Sequence, residues 1–128
     1  MKRSIYLIKH GEASESFELR NDPSQALKEG QIRVAVEASG LNFADVMARR
    51  GLYKPAPKPP SVLGYDICGR ISACGEKVKG LKTGDRVAAI TLFGGYTSEA
   101  VIPAFSALKI DEETPKGVAC ALMTQGIT

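Results

Sequence analysis

One histidine, three cysteines and a handful of spaced polar residues carry whatever chemistry this 128-residue chain can do. His10 stands in Lys9-His10-Gly11-Glu12, directly after an apolar run. A histidine there could act as a phosphorylated nucleophile, but that chemistry needs arginines around the imidazole and a second histidine. The leading residue is a lysine and no second histidine exists, so a turn position is the expectation for His10. Cys68, Cys74 and Cys120 never fall at Cys-x-x-Cys spacing, which argues against a zinc knuckle or a redox pair and for small buried residues in a reducing compartment. More informative is the trio Asn42, Asp45 and Tyr53, followed by Gly64-Tyr65-Asp66. Read alone, Asn42 suits a helix cap, Asp45 a first-turn carboxylate facing the positive end of the helix dipole, and Tyr53 a loop aromatic.

The elements that must position these residues follow from periodicity. Ser4 to Ile8 and Phe17 to Arg20 read as partner strands, and Glu29-Gly30 marks a turn. From Gln31 onward Ile32, Val34, Val36 and Ala38 alternate with polar neighbours, broken only by Ala35, the two-residue period of a half-buried strand. Gly40 ends it. Asn42 to Arg50 then switches to helical spacing, with Phe43, Val46, Met47 and Arg50 three and four apart and Gly51 as the stop. Lys54 to Pro60 is proline-stiffened loop. Val62 to Ala73, Arg86 to Leu92 and Tyr96 to Ile102 read as further strands, separated by the Lys82-Thr-Gly-Asp and Gly94-Gly95 turns. Thr114-Pro115 opens a terminal helix carrying Val118, Ala119, Leu122 and Met123, whose apolar face predicts self-association or an absent neighbour. The expected fold class is mainly β with short helices, a small barrel or sandwich.

Composition sets the outer limits. Hydrophobic residues make up 44% and charged residues 24%, the balance of one ordinary globular domain. The net charge of +3 is scattered, and its longest basic cluster, Lys77, Lys79, Lys82 and Arg86, is interrupted by acids, so it reads as a solvated hairpin surface rather than a nucleic-acid track. No stretch approaches the roughly 18 apolar residues of a membrane helix, and the N-terminus has too short an apolar run for a signal peptide; a cytoplasmic address is the expectation.

Ser39 to Tyr53, Pro59 to Ile71 and Gly84-Asp85-Arg86-Val87, together with the Lys9-His10-Gly11 turn, resemble the medium-chain dehydrogenase/reductase superfamily. More narrowly they resemble its zinc-independent quinone oxidoreductase branch, which includes zeta-crystallin and the vesicle amine transport protein homologues. The resemblance implies a GroES-like β-barrel catalytic domain over residues 1–113, then residues 114–128 as the start of a helix leading into a Rossmann domain. No Gly-x-Gly-x-x-Gly dinucleotide fingerprint occurs in the chain. Zinc-dependent members carry a cysteine where Asn42 stands and a histidine where Tyr65 stands, so no zinc is expected.

What the resemblance implies for function is hydride transfer from NADPH, with NADH as the alternative, to a quinone or activated alkene. Tyr53 and Asn42 would be the catalytic donors. Asn42, Asp45, Met47 and Thr128 would line the cofactor side, with Met47 standing where some members carry a tyrosine. A homo-oligomer is implied for a two-domain protein, and the 128-residue chain alone is expected to be inactive. The competing reading is a non-enzymatic GroES-like binding module acting through protein or lipid contacts; a co-chaperonin is disfavoured because Lys54 to Pro60 is too short for its mobile loop.

Overall fold

The computed structural model describes residues 1–40 and 42–115. Strand β1 (Lys2–Leu7), the single-turn helix α1 (Ala13–Ser16), β2 (Phe17–Asp22) and β3 (Gln31–Ser39) come first, followed by helix α2 (Phe43–Arg49). Strands β4 (Ser61–Val62), β5 (Asp66–Cys74), β6 (Arg86–Ile90) and β7 (Glu99–Pro103) follow, then a 3-10 turn over Ala104–Ser106 and β8 (Ala107–Lys109). They form a three-stranded sheet ordered β2-β1-β4 and a five-stranded sheet ordered β7-β3-β5-β6-β8. All named pairings are antiparallel.

The alternation expected in β3 does define the main core. Ile32 and Val34 are fully buried and meet Ile67, Ile71, Val87, Ala89, Ala100 and Ile102, the inward residues of the neighbouring strands. Each isoleucine and valine among them contributes about 1.5–3 kcal/mol by leaving water. Gly69 lets β5 press against β3: a Cβ there would lie 2.1 Å from the Ala35 carbonyl oxygen. The register shifts beside it, between Val36 and Ala38, as expected where a backbone comes this close.

Four expectations need correction. The run from Val62 to Ala73 is two strands in different sheets, because Gly64 turns the corner between β4 and β5 at φ +106. Helix α2 sits as expected, but its buried residues are Asp45 and Ala48, while Phe43 is 77% exposed and Val46 faces water. The apolar stripe therefore points outward, because a hydrogen-bonded carboxylate and a small alanine take the inner face. Arg86 is buried, not part of a solvated basic surface, since Glu37 and two backbone carbonyls take up its donors. β8 was not expected; three residues are too few to show a period. The anticipated terminal helix over residues 114–128 lies, apart from Thr114 and Pro115, outside the described residues.

Candidate active site

A second, smaller apolar cluster supports α2 from below. Leu7 from β1, Ala48 from α2 and Leu63 from the β4–β5 corner are buried together, flanked by Phe17, Tyr53, Phe93 and Tyr96. On this base the sequence builds a short helix whose first turn is closed by Asp45. Its Oδ2 accepts the Asn42 backbone N–H at 3.3 Å, the reciprocal half of a capping box. Its Oδ1 accepts the Gly64 N–H at 3.0 Å, a bond buried from solvent, and the Tyr96 hydroxyl donates to the same carboxylate. Burial pushes the Asp45 carboxyl above its ordinary value, and these three donors hold the rise back. Tyr96 answers in kind: burial and the Asp45 charge push its phenol well above the usual range, so it remains a donor.

Asp45 is thus the knot joining α2, the β4–β5 corner and the loop before β7. At Gly64 a Cβ would meet the Tyr96 backbone nitrogen at 2.6 Å, so only glycine fits between the two chains. The C-terminal end of α2 is tied as firmly. Gly11 N–H donates to the Arg49 carbonyl at 3.0 Å, Arg49 returns a bond to the Gly11 carbonyl at 3.0 Å, and the His10 ring lies against Gly51. His10 is a turn residue docked on the helix end.

The expected site residues fall into two groups. Asn42 caps α2, and its side-chain Nδ2 is buried without a hydrogen-bond partner, one of three such side-chain atoms among the described residues. Met47 is half-buried one turn along, and Tyr53 follows the helix with its ring centroid 6.1 Å from that of Phe93. Phe93 also takes the ring of Tyr65 edge-on at 6.4 Å. Asp45 belongs elsewhere: only 4% exposed, it turns inward. Its carboxylate takes up three internal donors, the Asn42 and Gly64 N–H groups and the Tyr96 hydroxyl. Thr128 lies outside the described residues. Exposed Phe43, Val46 and Leu52 surround the helix with apolar surface.

Sequence reading missed Tyr96 and Phe93 as supports. Their only signal was an aromatic on either side of Gly94-Gly95. Two hollows of about 270 Å³ and 700 Å³ lie between the two sheets' strands, and neither is lined by Asn42, Asp45, Met47 or Tyr53. Among the described residues no group of three His, Cys, Asp or Glu side chains could hold a metal ion, and Asn42 with Tyr65 is a poor donor set for zinc. No described helix is long and apolar enough to cross a membrane.

Comparison with known proteins matches this geometry to a family. The alcohol dehydrogenase GroES-like domain profile matches residues 28–112. The zebrafish (Danio rerio) synaptic vesicle membrane protein VAT-1 homolog is 39% identical over 103 residues, covering 80% of this chain and 21% of the relative. A probable quinone oxidoreductase of Schizosaccharomyces pombe is 38% identical over 91 residues, 70% of this chain and 27% of the relative. Among solved structures, Escherichia coli quinone oxidoreductase complexed with NADPH superposes with a TM-score of 0.84 at 34% identity, over 93% of this chain and 36% of that one. A Pseudomonas syringae quinone oxidoreductase gives 0.87 at 35%, over 99% and 39%. The chain spans about a quarter of the length of the curated relatives it matches. A mainly β domain whose two sheets frame a capped helix, matched over two-thirds of its length by this profile, belongs to the alcohol dehydrogenase GroES-like domain family, on the quinone oxidoreductase and VAT-1 side of the medium-chain dehydrogenase/reductase superfamily.

Proposed function

We propose that this barrel, residues 1–113, is the substrate-side half of a zinc-independent oxidoreductase that reduces a quinone or activated alkene at the expense of NADPH. In this reading residues 114–128 lead into a Rossmann domain that carries the dinucleotide. The observation that carries the reading is the Asn42 Nδ2, a buried amide donor that no group among the described residues satisfies. An unmet buried donor costs about 1–3 kcal/mol, a cost a ligand oxygen can relieve. The amide therefore fits a bound cofactor or substrate that offers an acceptor at the head of α2. The exposed Phe43, Val46 and Leu52 fit a partner domain that covers this face.

NADPH, when bound, supplies the hydride, and NADH would supply the same chemistry. This chain's residues orient and polarise. Asn42 donates a hydrogen bond toward the oxygen that gains negative charge, which stabilises the transition state more than the ground state. Tyr53, held against Phe93, offers a hydroxyl as the second donor and a route for the proton. Met47 supplies apolar contact beside the nicotinamide, and Thr128 contributes from the domain junction. Asp45 is a positioning residue: through the Asn42 N–H and the Gly64 N–H it fixes the capping turn on which the amide sits.

The test is NADPH oxidation coupled to reduction of a simple quinone. The product of the gene with the coding sequence downstream of Thr128 included should turn over, and the 128-residue chain alone should not. Turnover by the short chain near that of the longer protein would sink the two-domain reading. Absence of quinone- and NADPH-dependent turnover in the longer protein would sink the enzyme reading.

A further inference from the structure

Gly84-Asp85-Arg86-Val87 is a motif the proposed chemistry leaves unused, and in the fold its side chains converge on the segment that follows the last strand. Arg86 is only 5% exposed. Its Nη1 donates to the backbone carbonyls of Asp111 and Glu112, both at 3.0 Å, and its Nε donates to Glu37 Oε1 at 3.3 Å from β3. Opposite it on β5, Arg70 grips both carboxylate oxygens of Glu112, donates to the Gly84 carbonyl at 3.3 Å, and approaches Glu37 at 4.0 Å. Asp85 meets Lys109 of β8 at 3.5 Å, and the Ile110 N–H donates to the Arg86 carbonyl at 2.9 Å.

These bonds reach past β8, which ends at Lys109, to residues that belong to no strand. A buried guanidinium needs one carboxylate to balance its charge, and Glu37 provides it. Nη1 is spent on two carbonyls of the departing chain and Nη2 donates to Cys68 Sγ at 3.8 Å, a geometry that lysine's single ammonium cannot copy. We propose that Arg86 and Arg70, bridged by Glu37 and Glu112, form a latch that pins the segment by which the chain leaves the barrel, so that Arg86 is a positioning residue for whatever follows Pro115. The inference rests on the reading that a cofactor domain follows. A latch at this point sets the direction from which that domain approaches α2.

The first measurement needs only the 128-residue chain: amide hydrogen exchange in wild type, Arg86→Lys and Glu112→Gln. In Arg86→Lys the Ile110 and Thr114 amides should exchange at least roughly tenfold faster while Ile5 and Val34 keep their protection, and Glu112→Gln should give a smaller change in the same place. Unchanged exchange at Ile110 and Thr114 in both variants overturns the latch. A uniform rise across the chain in Arg86→Lys, with no local change in Glu112→Gln, also overturns it, since Arg86 would then serve only the fold. In the longer protein, Glu112→Gln should lower kcat with KM for NADPH within about twofold. Unchanged kcat despite faster exchange overturns the positioning role. A longer wild-type protein without turnover defeats the enzyme reading instead, and the exchange data still decide whether the latch exists.

Discussion

Two carboxamide and carboxylate side chains three residues apart do opposite jobs, and burial decides which does which. Asp45 Oδ1 and Oδ2 are spent internally on Gly64, Asn42 and Tyr96, whereas the Asn42 amide keeps a donor in reserve. Asp45→Ala should destabilise the domain by about 1–3 kcal/mol, because the buried Gly64 N–H and the Tyr96 hydroxyl lose their acceptor. Urea unfolding checks this; an unchanged midpoint would remove Asp45 from the framework. The raised Asp45 pKa has its own signature. A carboxyl that holds its proton more tightly when folded binds more protons in the native state, so its contribution to stability is full below about pH 3.8 and declines as pH rises through its folded pKa. Asp45→Asn keeps the acceptor for Gly64 and should flatten that component of the stability–pH curve just above pH 3.8. A variant curve parallel to wild type there would contradict the assignment. Neither role was legible in the residues alone. An aspartate in a first helical turn is ordinarily solvated, and nothing local marks Gly64 or Tyr96, 19 and 51 positions away, as its partners.

At the scale of elements, the corner between β4 and β5 holds the helix in place. Gly64 sits at φ +106 with the Tyr96 backbone where a side chain would go. Gly64→Ala should therefore cost more than about 2 kcal/mol through backbone strain and the clash. Thermal unfolding of the two proteins tests it, and equal melting temperatures would show that the corner can relax. Local pattern revealed β3, because its alternation reports one buried face, and revealed α2 by spacing and its glycine stop. It failed where long-range pairing decides. The run through Gly64 looks continuous but divides between two sheets, β8 is too short to show a period, and Arg86 looks like one more surface cation until Glu37 and the chain exit close around it. The outward apolar stripe of α2 escaped notice for a related reason: periodicity reports that a helix has two faces, not which one the rest of the chain will cover.

At the scale of the whole chain, the described residues form a GroES-like domain that presents a capped helix, exposed apolar side chains around it and, at its head, an amide nitrogen with no partner among the described residues. The chain's 128 residues suffice for the barrel's two sheets and leave the dinucleotide fingerprint unrepresented. The central claim is that the Asn42 amide N–H is kept for a ligand, beside the residue's part in the capping box of α2. It is tested most directly by comparing wild type and Asn42→Ala in the longer protein, using NADPH-dependent quinone reduction together with thermal unfolding. Asn42 also takes part in the capping box of α2, so the substitution should cost about 0.5–2 kcal/mol while the protein stays folded. Loss of a donor to developing charge should lower kcat/KM by roughly tenfold to a hundredfold. Unchanged kcat/KM in a folded Asn42→Ala protein would contradict the account.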